Sequence, residues 1–195
     1  MITEATVCEV KRVIDNLAKE FCKVRGLLLT EDDLKCQLFA KLKEIPGIGK
    51  PKKSADPDVL APSIHAEISW FDERGQLALK PDLTLIDPSN LSISRSLQPG
   101  IPFPRKGFHF TGEAIIIELK FYRGINGIPS SAVRTISDDI QKIQRLIRKN
   151  TRPSNQTKVH GFVVVFARCG KRAAEVKRLI DSHSDPVIHL IVKSA

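Results

Sequence analysis

The chain has 195 residues, 42% of them hydrophobic and 27% charged, which excludes a wholly disordered polymer and suits one domain with its own core. Lys and Arg number 31 against 22 Asp and Glu, a net charge of +9, so nucleic acid or another anionic surface comes first among expected partners. The longest apolar run is residues 162–167, and the first dozen residues hold no signal-like apolar core, so we expect a single cytoplasmic domain over 1–195 with no membrane contact.

Val7, Val10, Ile14, Leu17, Phe21 and Val24 recur every three or four positions and predict an N-terminal helix that stops at Gly26, within a unit spanning 1–28. Thr30 is placed to cap a second helix with Asp33 answering it, and Leu34, Leu38, Leu42 and Ile45 form its stripe. Residues 46–62 read as a basic, irregular linker that carries Lys50, Lys52 and Lys53. Alternating hydrophobicity predicts a strand over 64–71, a turn at 72–75 and a returning strand over 77–86. A Pro/Ser/Gly-containing segment over 87–107 precedes a third strand, 110–122, with Ala114 to Ile117 as its buried centre. A helix is predicted over about 137–150, with Ile136, Ile140, Ile143 and Ile147 inward and Lys142, Arg145 and Lys149 on a basic face. An apolar strand over 159–167, a helix over 171–182 and a strand over 186–192 complete an ααβββαβαβ order. That order predicts an α/β or α+β domain with a mixed central sheet flanked by helices. Cys8, Cys22, Cys36 and Cys169 have neither CxxC nor Cys/His zinc spacing and are expected as buried or half-buried free thiols.

Two short motifs carry chemistry. Pro81-Asp82 opens the second strand, and Glu118-Leu119-Lys120 closes the third. Strand parity puts Glu118 and Lys120 on one face, roughly 7 Å apart. If the second and third strands pair antiparallel, the start of one lies beside the end of the other, and Asp82 approaches both. Two carboxylates and a lysine at a sheet end suit phosphodiester hydrolysis. Hard divalent cations take carboxylate oxygens, and the lysine can orient or help deprotonate a water or stabilise developing negative charge.

On these residues the chain resembles the PD-(D/E)xK nuclease superfamily, the restriction-endonuclease-like fold, over an αβββαβ core at 30–167 with a C-terminal helix and strand at 168–195. The resemblance implies a metal-dependent deoxyribonuclease, an endonuclease, that uses Mg²⁺ or Mn²⁺ and no small-molecule cofactor. It implies that Asp82, Glu118 and the Leu119 carbonyl hold the metal and that Lys120 assists the water. It also implies an acid on the helix before the strands, matched by Glu31. The sequence favours Glu31 over its neighbours, because it lies three residues before Leu34 and seven before Leu38, on the inward stripe. The alternative is a first-turn acid that favours the helix dipole.

Other residues keep two readings. Lys142 and Arg145, with Arg123 just past the motif, are candidate nucleic-acid contacts or members of a solvated face. Glu67, which shares a strand face with His65, is an accessory acid or a solvated side chain. Residues 124–129 read as a turn, or a flexible flap beside the site. Duplex DNA is the expected substrate, since the aromatic content offers no stacking platform for single strands. Two-strand cleavage by a chain with one site would need a homodimer or successive events. The alternative function is a non-catalytic nucleic-acid-binding or interaction subunit of a defence, repair or mobile-element complex that keeps the nuclease fold.

Overall fold

Amphipathic helices bracket a run of strands, and the strands place their apolar parity on both faces of one sheet. The computed structural model describes residues 2–24, 26–71, 77–92, 108–110, 112–150, 159–181 and 188–194. Helices α1 (Glu4–Lys23) and α2 (Glu31–Lys43) come first. Strands β1 (Lys52–Lys53), β2 (Leu60–Ala61), β3 (Ile64–Ala66), β4 (Trp70–Phe71), β5 (Leu77–Leu79) and β6 (Leu83–Ile86) follow. A 3₁₀ turn, Pro88–Asn90, leads to β7 (Leu91–Ser92), β8 (His109–Phe110) and the long β9 (Ala114–Tyr122). The chain ends with α3 (Ser130–Asn150), β10 (Val159–Ala167), α4 (Ala173–Asp181) and β11 (Ile188–Ser194).

Five strands form a mixed sheet in the order β11-β10-β9-β6-β3. Its β3, β6 and β9 pair antiparallel, whereas β9, β10 and β11 run parallel. Ile115, Ile117, Leu119, Phe162 and Val164 pack against α1 and α2 through Leu17, Phe21, Leu34 and Leu38. The opposite parity, Ala114, Ile116, Val163 and Val165, packs against Ile136, Ile140 and Ile143 of α3 and Val176 of α4. Burying both faces explains why β10 is buried throughout and, from Phe162 to Ala167, apolar without alternation.

Both N-terminal helices are capped by threonine. Thr30 Oγ1 accepts the Asp33 amide at 3.0 Å, and Asp33 Oδ2 accepts the amides of Thr30 and Leu29 at 3.0 and 2.9 Å. Each such cap contributes about 1 kcal/mol.

The strands expected over 64–71, 77–86 and 110–122 are each interrupted. Glu67 adopts φ of 53°, a left-handed conformation that ends the ladder after β3. Pro81 has no amide to donate, so β5 and β6 separate around it. Gly112, at φ of 93°, divides β8 from β9. The off-cut pieces form small two-stranded ribbons, β4 with β5 and β7 with β8. The 46–62 segment is also built rather than irregular. Lys52 and Lys53 pair with Ala61 and Leu60, Ile48 is buried, and Asp56 is buried and accepts from Ser92 Oγ at 2.8 Å.

Helix α3 starts seven residues earlier than the sequence suggested. Pro129, two serines, Val133 and Thr135 are weak helix formers, but Ile128, Ala132, Ile136 and Ile140 are all buried at a spacing of four. Packing overrides propensity there. The 124–129 turn is pinned rather than a free flap. The Ile128 amide donates to the Lys171 carbonyl, and Gly127 sits at φ of 71° where a Cβ would lie 2.6 Å from that same oxygen. Cys8, Cys22 and Cys36 are exposed rather than buried, because each falls off the inward stripe of its helix, and Cys169 is half-buried. The expected turn at 72–75, most of the 87–107 segment with Arg105 and Lys106, and residues 182–187 lie outside the described residues.

Candidate active site

The site arises from a mismatch in strand length. Strand β6 pairs with β9 only as far as Leu83 opposite Ile117, whereas β10 follows β9 to its end, with Ala167 opposite Tyr122. Beyond Ile117, one edge of β9 therefore has no strand beside it among the described residues. Its amides are taken by carboxylates instead. Asp82 Oδ2 accepts the Leu119 amide at 2.8 Å, and Glu31 Oε2 accepts the Phe121 amide at 3.1 Å. In an antiparallel ladder the amide and carbonyl of one residue address the same neighbour. The Leu119 carbonyl thus opens onto the edge that Asp82 and Glu31 occupy.

Parity turns Glu118 and Lys120 toward the α3 side of the sheet. Lys120 Nζ lies 2.7 Å from Glu118 Oε1 and 3.4 Å from Asp139 Oδ2. The other Asp139 oxygen, Oδ1, pairs with Lys142 Nζ at 2.9 Å. The Glu118, Lys120 and Asp139 side chains are only 12%, 17% and 8% exposed. Acids outnumber lysines in this cluster, and the charge balance shows it. Burial pushes the Glu118 carboxyl up to about 7, the negative charges of Asp82 and Asp139 add to that, and the Lys120 hydrogen bond and charge oppose it. Burial alone would lower the Lys120 ammonium, but the Glu118 hydrogen bond and the charges of Glu118, Asp139 and Glu31 outweigh it and raise it. Lys120 is held as a cation. Tyr122, half-buried on the same face, is raised chiefly by burial.

Asp82, Glu118, Leu119, Lys120 and Glu31, the residues singled out from the motifs, therefore converge. Glu31 is exposed as a residue, because the helix end overhangs the open strand edge rather than the core. Lys142 stands at the rim, half-exposed and tied to Asp139. Arg123 is exposed directly after β9, and Arg145 is exposed one turn beyond Lys142 on α3. Glu67 is engaged elsewhere. Hydrogen bonds from Lys35, at 2.8 Å, and Lys80 lower its carboxyl to about 2, and only its backbone meets the site, donating to the Asp82 carbonyl at 3.0 Å. His65 has Nε2 3.0 Å from the Pro62 carbonyl, and burial lowers its pKa.

Asp139 was missed in the sequence, although a signal was present. It lies three residues after Ile136 and four before Ile143, both fully buried, so it is an acid on an inward stripe. That is the pattern that distinguished Glu31.

Among the described residues, no group of three or more His, Cys, Asp or Glu side chains is arranged to hold a metal ion. The oxygens at the open edge, the Asp82 carboxylate and the Leu119 carbonyl, with the Glu118 carboxylate on the adjoining α3 face, are a different donor set. Hard oxygens, few in number and in negative excess, fit a small divalent cation that keeps several of its waters. Among the described residues, no helix is long and apolar enough to cross a membrane. No family of known proteins, no curated protein and no solved structure matches the chain.

Proposed function

We propose that this protein is a divalent-cation-dependent endonuclease of the restriction-endonuclease-like, PD-(D/E)xK type, and that it hydrolyses DNA phosphodiester bonds. The observation that carries the reading is the carboxylate-lined edge of β9. Asp82 and Glu31, distant from each other and from Glu118 in sequence, bracket the Leu119 carbonyl there through the Leu119 and Phe121 amides. The order α2-β3-β6-β9-α3-β10 supports the same reading, since it repeats the αβββαβ succession.

In this reading Asp82, Glu118 and the Leu119 carbonyl hold Mg²⁺ or Mn²⁺, which supplies a more acidic water and neutralises charge on the phosphate. The chain's own groups do the rest. Lys120, kept as an ammonium by Glu118 and Asp139, is a hydrogen-bond donor beside the reacting phosphate and stabilises the charge that develops on it. A raised ammonium is a poor proton acceptor, so its role is electrostatic and orienting. Glu31, at the helix end, orients water on the outer side of the same edge. Lys142, at the rim through Asp139, and the exposed Arg145 and Arg123 are the proposed contacts for the DNA backbone, in keeping with the net charge of +9.

Plasmid cleavage tests this. Supercoiled and linear DNA are incubated with Mg²⁺, Mn²⁺ or EDTA and the native protein, Asp82→Ala or Lys120→Ala. Cleavage that needs the cation and is lost in both variants is expected. Cleavage retained in both variants would refute the site. Salt-sensitive DNA binding with no cleavage would replace the reading with that of a non-catalytic binding module.

A further inference from the structure

Asp139 is the one acid of the cluster that the motifs do not account for. Its carboxylate is 8% exposed, and a buried carboxylate is expensive unless it is paired. Its two oxygens are divided between two lysines. Oδ2 faces Lys120 at 3.4 Å, and Oδ1 faces Lys142 at 2.9 Å. Neither oxygen is on the β9 edge where Asp82 and Glu31 accept backbone amides.

We propose that Asp139 is a positioning residue that anchors the Lys120 ammonium in the site. The inference rests on the nuclease reading for what Lys120 is positioned to do, but not for the contact itself. Lys120 has two carboxylate partners, and the nearer is Glu118 at 2.7 Å. In the proposed function Glu118 is a cation ligand. A ligand carboxylate gives up electron density to the cation, and the cation repels a neighbouring ammonium. Lys120 then needs a second anchor on the side away from the cation. Helix α3 provides one from the layer that faces Glu118 and Lys120, and its rigidity comes from Ile136, Ile140 and Ile143, all fully buried around Asp139. Lys142 holds the other oxygen at 2.9 Å, which fixes the orientation of the carboxylate and leaves Oδ2 facing Lys120.

The test is a double-variant cycle on the whole protein with Asp139→Asn and Lys120→Met, read first by urea denaturation in EDTA. If Asp139 anchors Lys120, the double variant should lose about tenfold less in the folding equilibrium constant than the product of the two single losses. Additive losses would overturn the proposal. Should Asp139→Asn fail to fold, the pair Lys120→Met with Asp139→Leu removes both charges at once, and its recovery of folding would show the same coupling. A pair that also fails to fold would overturn it.

The second reading is DNA cleavage in Mg²⁺. Asp139→Asn should lower kcat at least about tenfold with KM for DNA little changed, and Asp139→Glu should restore part of the loss. In a Lys120→Met background the Asp139 change should add no further loss. A kcat loss no larger than the loss of folded protein, or the same loss whether or not Lys120 is present, would assign Asp139 a purely structural part and overturn the proposal. Absence of cleavage by the native protein refutes the nuclease reading alone, because the cycle in EDTA still decides whether Asp139 anchors Lys120.

Discussion

Replacing Glu118 with glutamine should make the cation-free protein more stable at alkaline pH. The Glu118 side chain is 12% exposed, and its carboxyl stands at about 7 instead of 4.5. One pKa unit corresponds to about 1.4 kcal/mol, so the ionised carboxylate costs the fold on the order of 3 kcal/mol relative to its protonated form. A pKa raised in the folded state gives stability that is fully present below the unfolded value of 4.5 and lost as pH rises through about 7. The side-chain amide of Glu118→Gln would keep the shape of the protonated acid and would not titrate. Urea denaturation in EDTA between pH 4.5 and 8.5 measures the difference between the two proteins. It should be small at the acid end and grow to roughly 2–3 kcal/mol in favour of the variant above pH 7.5. His65 and His189, both lowered by burial, push native stability the other way across this window, gaining as pH rises, but they are common to both proteins and cancel. A pH-independent difference, or a variant less stable at pH 8, would mean that the Lys120 ion pair outweighs burial and crowding at Glu118. The energetic reason for a cation at this edge would then disappear.

Two further outcomes follow from the geometry. Gly49 packs so closely on the end of α2 that an added Cβ would fall 1.9 Å from the Lys43 carbonyl, so Gly49→Ala should destabilise by roughly 3 kcal/mol, visible as a lower urea midpoint; an unchanged midpoint would show that the connection shifts freely. If Arg123, Arg145 and Lys142 contact phosphates, each single Ala substitution should lower the slope of log affinity for DNA against log salt by about 1; slopes equal to that of the native protein would move the DNA to another face.

Much of the site was legible because parity survives local irregularity. The strand expected over 77–86 breaks at Pro81, yet Leu83 and Leu85 still enter one face and Thr84 the other, so Asp82 arrives beside Leu119 as pairing required. Glu31 was legible from its place on an apolar stripe. The same rule covers Asp139, which lies on the stripe of Ile136, Ile140 and Ile143 but borders the basic face of Lys142 and Arg145, so by composition it reads as part of a solvated surface. What the residues could not reveal is conformational. Nothing in the letters of Glu67 announces φ of 53°, nor that its side chain pairs with Lys35 on α2 and Lys80 before β6, partners distant in sequence. The start of α3 was hidden for a similar reason, since burial of Ala132 and Ile136, not propensity, forms that first turn.

The parallel partnership of β9 with β10 has a consequence for the order in which the protein is made. Glu31, Asp82, Glu118 and Lys120 leave the ribosome well before residue 159, and Asp139 before it as well. Strand β9 nevertheless keeps one whole side unpaired until Val159–Ala167 arrives, and Ile115 and Ile117 share their core with Phe162, Val164 and Phe166. Parallel pairing across a helical crossover is a slow, non-local step. A nascent chain therefore carries every residue of the site long before it has the site, and under the proposed function cleavage would wait for synthesis to pass the strand that holds β9 in place.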